Sequence, residues 1–141
     1  MSDSGKPLEG LHLLVIEDEQ DTRELITFIL QLWGAEVTAV IHIYEAIEAL
    51  DRFIPDVILS NTHLPDGDGY MLIGLWRDKE VELGIEPIPA IIIADSDREV
   101  SRNRIHQAGF QTYVSKPLDV TVIVETVATV ASRQGAKERE H

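Results

Sequence analysis

Short apolar runs alternate along the chain with longer segments whose apolar residues recur at helical spacing. The runs predict five strands, at residues 13–16, 36–40, 57–60, 90–94 and 112–115. The longer segments predict five helices: one that carries Leu25, Ile29, Leu32 and Trp33, then 44–53, 70–79, 98–108, and one that Asp119 begins. Strands that are apolar throughout are typical of a parallel sheet covered by helices on both faces. The pattern therefore predicts an α/β doubly wound fold of five βα units.

The composition is that of a globular protein, with 44% apolar and 26% charged residues in a chain of 141. Lys and Arg number 12 against 25 Asp and Glu, which gives a formal net charge of −13. Such an acidic chain repels phosphate backbones and anionic lipids, so we expect no direct binding to nucleic acid or membranes. The absence of Cys excludes disulfides, thiolate metal sites and Cys nucleophiles.

The distribution of apolar segments also bounds the domain organisation. No apolar run approaches the roughly 18 residues of a membrane span, and the N-terminus lacks a signal-peptide pattern, so we expect a cytoplasmic protein. The ends are polar or charged. We therefore expect one domain over residues 10–132, a flexible N-terminal segment at 1–9 and a charged flexible tail at 133–141.

Polar side chains follow the predicted strands where those strands end. Glu17 and Asp18 follow the first strand, Asn61 the third, and Lys116 the fifth. In a doubly wound sheet these ends meet at one edge, where sites form. Adjacent carboxylates repel, and the usual reason to hold them together is a divalent cation such as Mg²⁺. The alternative is that both carboxylates cap the next helix, at its positive N-terminal end. A Lys at a neighbouring strand end, here Lys116, is suited to binding a phosphoryl oxygen.

Four segments resemble, in order and spacing, the sequence blocks of response regulator receiver domains, in particular receivers attached to bacterial hybrid sensor kinases. They read LLVIEDEQDTRELITFIL, PDVILSNTHLPDGDGY, IPAIIIADSDRE and AGFQTYVSKPLD, and the resemblance covers roughly residues 8–131. It implies a flavodoxin-like five-stranded parallel sheet of order 2-1-3-4-5. It also implies a two-component signalling module that is not itself an enzyme.

The resemblance further implies a cycle in which an Asp takes a phosphoryl group from a partner His. An acidic pair, a residue at the phospho-acceptor position and a backbone carbonyl two residues later hold Mg²⁺ in such domains. Carried over, the acidic pair is Glu17 and Asp18, and the carbonyl is that of His63. The Lys that grips the phosphoryl group is Lys116, whose bond to Pro117 is usually cis in this family.

Two positions depart from the family pattern. Asn61 stands where the family has the phospho-acceptor Asp, and a neutral amide is a poor nucleophile toward phosphorus. Ala94 stands at the switch position, where a hydroxyl normally draws in the aromatic residue of the fifth strand, here Tyr113. Asp95 follows, where the family usually has a small residue. We therefore predict a receiver that cannot be phosphorylated and that binds Mg²⁺ weakly if at all.

Such a module would act by binding a protein, either a sensor histidine kinase or an output protein. The family's contact face, made by the fourth helix, fifth strand and fifth helix, would also serve a homodimer. One alternative is a phosphorelay receiver in which Asn61 is an engineered substitution of Asp. A flavodoxin-like ligand binder or a haloacid-dehalogenase-like phosphatase is the other, although the first strand lacks the Asp-x-Asp pattern and no glycine-rich phosphate loop is evident.

Overall fold

A computed structural model of the protein describes residues 5–96, 98 and 100–139, the last seven by their backbone alone. The strands are β1 (His12–Ile16), β2 (Glu36–Val40), β3 (Val57–Asn61), β4 (His63–Leu64), β5 (Gly67–Asp68), β6 (Ala90–Ala94) and β7 (Thr112–Ser115). The helices are α1 (Gln20–Leu32), α2 (Ile43–Ala49), α3 (Gly69–Leu83), α4 (Arg102–Ala108) and α5 (Val120–Arg139).

Five parallel strands form the main sheet in the order β2-β1-β3-β6-β7. In terms of the five predicted strands this is the order 2-1-3-4-5, so the expected doubly wound α/β fold is confirmed. The short strands β4 and β5 pair antiparallel in the loop after β3 and had not been predicted. Because β1, β3, β6 and β7 run in the same direction, their carboxyl ends lie along one edge of the sheet.

Apolar residues on the two sides of the sheet form two core clusters. One packs α1 and α5 against the sheet, and includes Leu13, Val15 and Val127. The other packs α2, α3 and α4 against the opposite face, and includes Leu14 and Trp76. Strands β3 and β6 are buried at every position. The apolar runs 57–59 and 90–94 are therefore explained by helices on both faces.

The apolar face predicted for the first helix is wrong in part. Ile29 is buried as expected, but the residues that accompany it are Ile26 and Leu30. Leu25 and Leu32 are 49% and 54% exposed. Apolar residues occupy more than half the circumference of α1, so helical spacing alone selects no unique face.

Three other helix boundaries differ from the prediction. Helix α2 ends at Ala49, before a turn that extends to residue 52. Helix α3 continues four residues beyond position 79, because Gly84 ends it in the left-handed conformation. Helix α4 begins at Arg102 instead of residue 98, because the Ser101 side chain accepts a hydrogen bond from Arg104 N and caps it.

The N-terminal segment packs against the domain, and the predicted tail belongs to a helix. Leu8 is fully buried in the α1–α5 core cluster, and its N–H donates to the carbonyl of Trp33 at 3.0 Å. The segment expected to be flexible thus contributes a core residue. The predicted tail is helical as far as Arg139, while residues 1–4, 140 and 141 lie outside the described residues. The rest of the domain division stays a prediction.

Candidate functional site

A polar cleft lies at the carboxyl ends of β1, β3, β6 and β7. Glu17 directly follows β1 and is fully buried, held by a hydrogen bond from its own N–H to the carbonyl of Val40 in β2. Its Oε2 accepts the N–H of Glu19 at 3.1 Å. The residue that caps α1 is Glu19, which accepts the N–H of Thr22. The capping alternative for Glu17 and Asp18 is therefore not what the structure shows.

The side-chain amide of Asn61 lies at the centre of this cleft. Its Nδ2 is 3.1 Å from Glu17 Oε2, 3.1 Å from Asp18 Oδ1 and 3.0 Å from the carbonyl oxygen of His63. Two amide hydrogens are thus shared among three acceptors. Its Oδ1 accepts the N–H of Thr62 at 2.9 Å. A flipped amide would place this oxygen against two carboxylates, so the network itself determines the orientation.

Burial raises the pKa of the Glu17 carboxyl above its ordinary value of 4.5, because water is excluded from the charged form. The N–H of Glu19 and the positive charge of Lys116 oppose this effect. Glu17 Oε1 is buried without a hydrogen-bond partner, and Lys116 Nζ lies 3.8 Å from it. Glu17 is therefore a buried carboxyl group whose charge is only partly compensated.

Lys116 links the two sides of the cleft. Its Nζ lies 3.5 Å from Asn61 Oδ1 and 3.8 Å from Asp95 Oδ1, in addition to its contact with Glu17. Asp95 in turn pairs with His63 Nε2 at 3.3 Å, although both side chains are largely exposed. The Lys116–Pro117 bond is cis, as the resemblance implied. The ammonium group thus faces two carboxylates and an amide oxygen within the protein itself.

The two switch positions, Ala94 and Tyr113, lie on the neighbouring strands β6 and β7. The alanine side chain makes no polar contact with the tyrosine. Ala94 ends β6, pairs with Ser115 in β7 and is 9% exposed. Tyr113 is half-buried on β7, and the guanidinium carbon of Arg102 lies 6.0 Å from its ring centre. Because Ala94 has no hydroxyl, nothing at that position can form a hydrogen bond that would draw Tyr113 toward the cleft.

The acidic residues of the loop after β3 are turned away from the cleft. Asp66 accepts the N–H groups of Ile43 and Tyr44 and so caps α2. Asp68 accepts the N–H of Met71 and caps α3. Neither replaces the missing carboxylate at position 61, because both carboxyl groups are already bound to the N-termini of helices.

The donor set fits a magnesium ion poorly. In the family arrangement the ligands would come from Glu17, Asp18, Asn61 and the His63 carbonyl, but here the Asn61 NH₂ group donates to the other three. A cation at that point would have to displace the amide. Within the described residues, no three His, Asp or Glu side chains converge closely enough to hold a metal ion. Glu17 Oε1, which has no hydrogen-bond partner, favours a cation, but Lys116 Nζ already lies 3.8 Å from it.

A buried polar network away from the cleft was missed by sequence analysis. Glu80 is 2% exposed, and its carboxylate accepts from Trp76 Nε1, Arg77 Nη1 and the N–H of Ile88. Arg77 also donates to the carbonyl oxygens of Ile88 and Gly109. The signal was the spacing of residues 76, 77 and 80, which share a helix face. This network joins α3 to the approaches to β6 and β7.

The fold and the cleft together define a receiver domain of two-component signalling. A family model described as the response regulator receiver domain matches residues 13–128, and the chain belongs to that family. No helix in the described part of the chain has the length and hydropathy needed to cross a membrane.

The chain is also similar to individual proteins and to solved structures. An "Uncharacterized 14.6 kDa protein in sodA1 3′region" of Leptolyngbya boryana is 36% identical over 85% of this chain and 89% of its own length. The phosphate regulon transcriptional regulatory protein PhoB of Klebsiella pneumoniae is 28% identical over 86% of this chain, which spans only 52% of PhoB. The receiver domain of the Pseudomonas aeruginosa sensor histidine kinase PA1611, solved with a magnesium ion in its active site cleft, is 25% identical, with a TM-score of 0.76 over 87% of this chain and 98% of its own.

Proposed function

We propose that this chain is a receiver module that signals without phosphorylation, by binding protein partners. The observation that carries the proposal is the amide of Asn61, which donates to Glu17, Asp18 and the His63 carbonyl. The lone pair of an amide nitrogen is delocalised into its own carbonyl group, so the Asn61 amide does not attack phosphorus through Nδ2. Its oxygen is neutral and already accepts hydrogen bonds, so position 61 lacks a nucleophile.

The charges around the cleft support the same function. In a receiver that is phosphorylated, a Lys at position 116 would pair with the incoming phosphoryl group. Here Lys116 lies 3.8 Å from both Glu17 and Asp95. Asp95 therefore supplies a carboxylate on the side from which a phosphoryl group would approach. Its negative charge repels an incoming phosphoryl anion. With Ala94 in place of a hydroxyl residue, the switch to Tyr113 also lacks its donor.

We infer that any Mg²⁺ site at Glu17, Asp18, Asn61 and the His63 carbonyl is weak, since binding requires the Asn61 amide to leave its three acceptors. The module would span residues 10–132, with Leu8 packed against it. Its partner would be a sensor histidine kinase or an output protein, and the family's α4–β7–α5 face would be a contact surface or a homodimer interface.

The test is exposure of the protein to acetyl phosphate with Mg²⁺, followed by intact mass and peptide mapping. We expect no added phosphoryl group on the protein as given. The matched control is Asn61→Asp, which restores a carboxylate at the same position and should gain an acid-stable, alkali-labile phosphoryl group. An acyl phosphate mapped to position 61 of the unaltered protein would overturn the proposal.

The alternative, a phosphorelay receiver with Asn61 as an engineered substitution of Asp, predicts the same mass result for the protein in hand. The native codon for position 61 distinguishes the two. Ala94 and Asp95 favour the first function, because an engineered change at position 61 explains neither of them.

A further inference from the structure

An apolar groove lies between α2 and α3, on the side of the molecule away from the family's α4–β7–α5 face. Its volume is about 590 Å³. Tyr44 and Ile47 of α2, with Met71 and Leu75 of α3, form its apolar surface. Tyr44, Met71 and Leu75 are 56%, 52% and 47% exposed. Three large apolar side chains half-exposed within one concavity are characteristic of a binding surface.

The groove has a length and direction set by α3. Met71, Leu75, Asp78 and Glu82 follow one another at intervals of four, three and four residues, and so share one face of the helix. At 1.5 Å per residue this face extends for about 16 Å. That length matches about three turns of a second helix laid alongside α3, the geometry of helix-in-groove recognition.

The rim of the groove is strongly acidic. Glu48, Asp78 and Glu82 are exposed, and in the described part of the chain no Lys, Arg or His side chain lies within ion-pair distance of them. The one cation that lines the groove, Lys79, lies 3.4 Å from Asp51 Oδ1. The floor is therefore apolar while the rim presents unneutralised carboxylates on the sides of both α2 and α3.

We propose that the α2–α3 groove binds an amphipathic helix of a partner protein, with apolar residues facing the floor and Lys or Arg residues facing the acidic rim. Charge complementarity selects this occupant, since basic flanks gain attraction from Glu48, Asp78 and Glu82. A second copy of the chain is disfavoured, because two identical acidic rims would be brought together and each chain carries a net charge of −13. The proposal rests on the proposed function only in that the chain acts by binding a protein.

The probe is a synthetic helical peptide of about 14 residues with Leu at positions i, i+4, i+7 and i+11 and Lys on both sides of that stripe. The control peptide carries Glu in place of every Lys. Binding is measured by fluorescence polarisation, and its location by amide chemical-shift changes in the protein. We expect the Lys peptide to bind at least about tenfold more tightly than the Glu peptide at low ionic strength, where the Debye length is about 30 Å. The shifts should concentrate at Tyr44, Ile47 and Leu75.

Two double variants with equal charge change separate the groove from general attraction to an acidic protein. Asp78→Lys with Glu82→Lys should weaken the Lys peptide by about tenfold, because two attractions become repulsions. Glu24→Lys with Glu125→Lys changes exposed residues on α1 and α5. At about 0.15 M ionic strength, where the Debye length is about 8 Å, it should leave the affinity within about threefold. Leu75→Asn, which removes apolar surface and adds no charge, should weaken binding at unchanged salt dependence.

Equal weakening by the two double variants, or chemical-shift changes centred elsewhere, would overturn the proposal. So would sedimentation showing that the protein alone dimerises through this groove. None of these results bears on phosphorylation, because the acetyl phosphate experiment reads position 61 alone. The groove and the proposed function are therefore open to separate refutation.

Discussion

Replacing Asn61 by Asp removes the donor at the centre of the cleft and adds a third carboxylate. The variant loses hydrogen bonds from Nδ2 to two charged oxygens 3.1 Å away, each typically contributing about 1.5–3 kcal/mol. It also gains repulsion of about 4 kcal/mol per charge pair at 4 Å with an effective dielectric constant of about 20. In the unaltered protein Lys116 Nζ lies 3.5 Å from Asn61 Oδ1, and in the variant its attraction to the new carboxylate would offset the repulsion of about one such pair.

The protein has one escape from this repulsion, which is to keep one carboxyl protonated. Holding a proton at neutral pH on a group with an ordinary pKa near 4 costs about 4 kcal/mol, at about 1.36 kcal/mol for each pH unit. Glu17 is the natural acceptor, because burial already raises its pKa. A proton on Glu17 also restores one of the two lost hydrogen bonds. The expected loss of unfolding free energy therefore lies between about 2 kcal/mol, for the other hydrogen bond alone, and about 4 kcal/mol, for the full cost of the proton.

The assay is thermal unfolding with chelator and with millimolar Mg²⁺ at matched ionic strength. Without metal, Asn61→Asp should melt about 6–12 °C below the parent, at about 3 °C for each kcal/mol in a chain of this size. Mg²⁺ should restore about 2.7 kcal/mol or more to the variant when its concentration is 100 times the dissociation constant. It should shift the parent very little, because the amide already bonds to the ligand oxygens.

Asn61→Ala is the control that separates the lost hydrogen bonds from the added charge. It should be destabilised without the added repulsion and should gain less from Mg²⁺ than Asn61→Asp does, since it frees the oxygens of Glu17 and Asp18 but adds no third carboxylate. A metal-free Asn61→Asp protein as stable as the parent would refute the electrostatic account of the cleft. A large Mg²⁺ stabilisation of the parent would refute the claim that the amide occupies the place of the cation.

Glu80→Ala should lower the unfolding free energy, measured by urea denaturation, by about 3–5 kcal/mol, because it leaves the Arg77 guanidinium without its carboxylate. The control Glu82→Ala, on the exposed side of the same helix, should change the unfolding free energy by no more than about 0.5 kcal/mol. Equal effects of the two would contradict the buried network. Glu45 accepts hydrogen bonds from the His42 side chain and the His42 N–H, which hold the pKa of its carboxyl below the ordinary 4.5. The charged carboxylate therefore stabilises the fold at pH values above 4.5, and this stabilisation is lost as the pH falls through the lowered pKa of the folded state. Glu45→Gln should therefore reduce the fall of the melting temperature at acid pH. An unchanged fall of the melting temperature with decreasing pH would contradict this prediction.

The centre of the sheet could be predicted from sequence because β1, β3 and β6 are buried at nearly every position and so contain apolar runs. The edge strands β2 and β7 are more exposed and carry weaker apolar patterns. The contents of the cleft followed from topology, since parallel strands bring residues 17, 61 and 116 to one edge. The buried face of α1 could not be predicted, because Leu25 and Ile26 both fit a helical stripe and only tertiary packing chooses between them. Glu80 lies just beyond the predicted helix 70–79, and its burial could not be predicted for a similar reason: the sequence alone does not reveal that Arg77 and two N–H groups bind its carboxylate in the core.

The amide bonds at the centre of the cleft have a consequence for how such a module would be controlled. An acyl phosphate limits the duration of a signal, because its hydrolysis returns the receiver to the inactive state. The hydrogen bonds of Asn61 are not subject to hydrolysis, so the state of the cleft does not change with time. On the proposed function, occupancy of a partner depends only on protein concentration relative to the dissociation constant. A cell would then set the strength of the signal by abundance, and would end it by degradation or dilution of the chain.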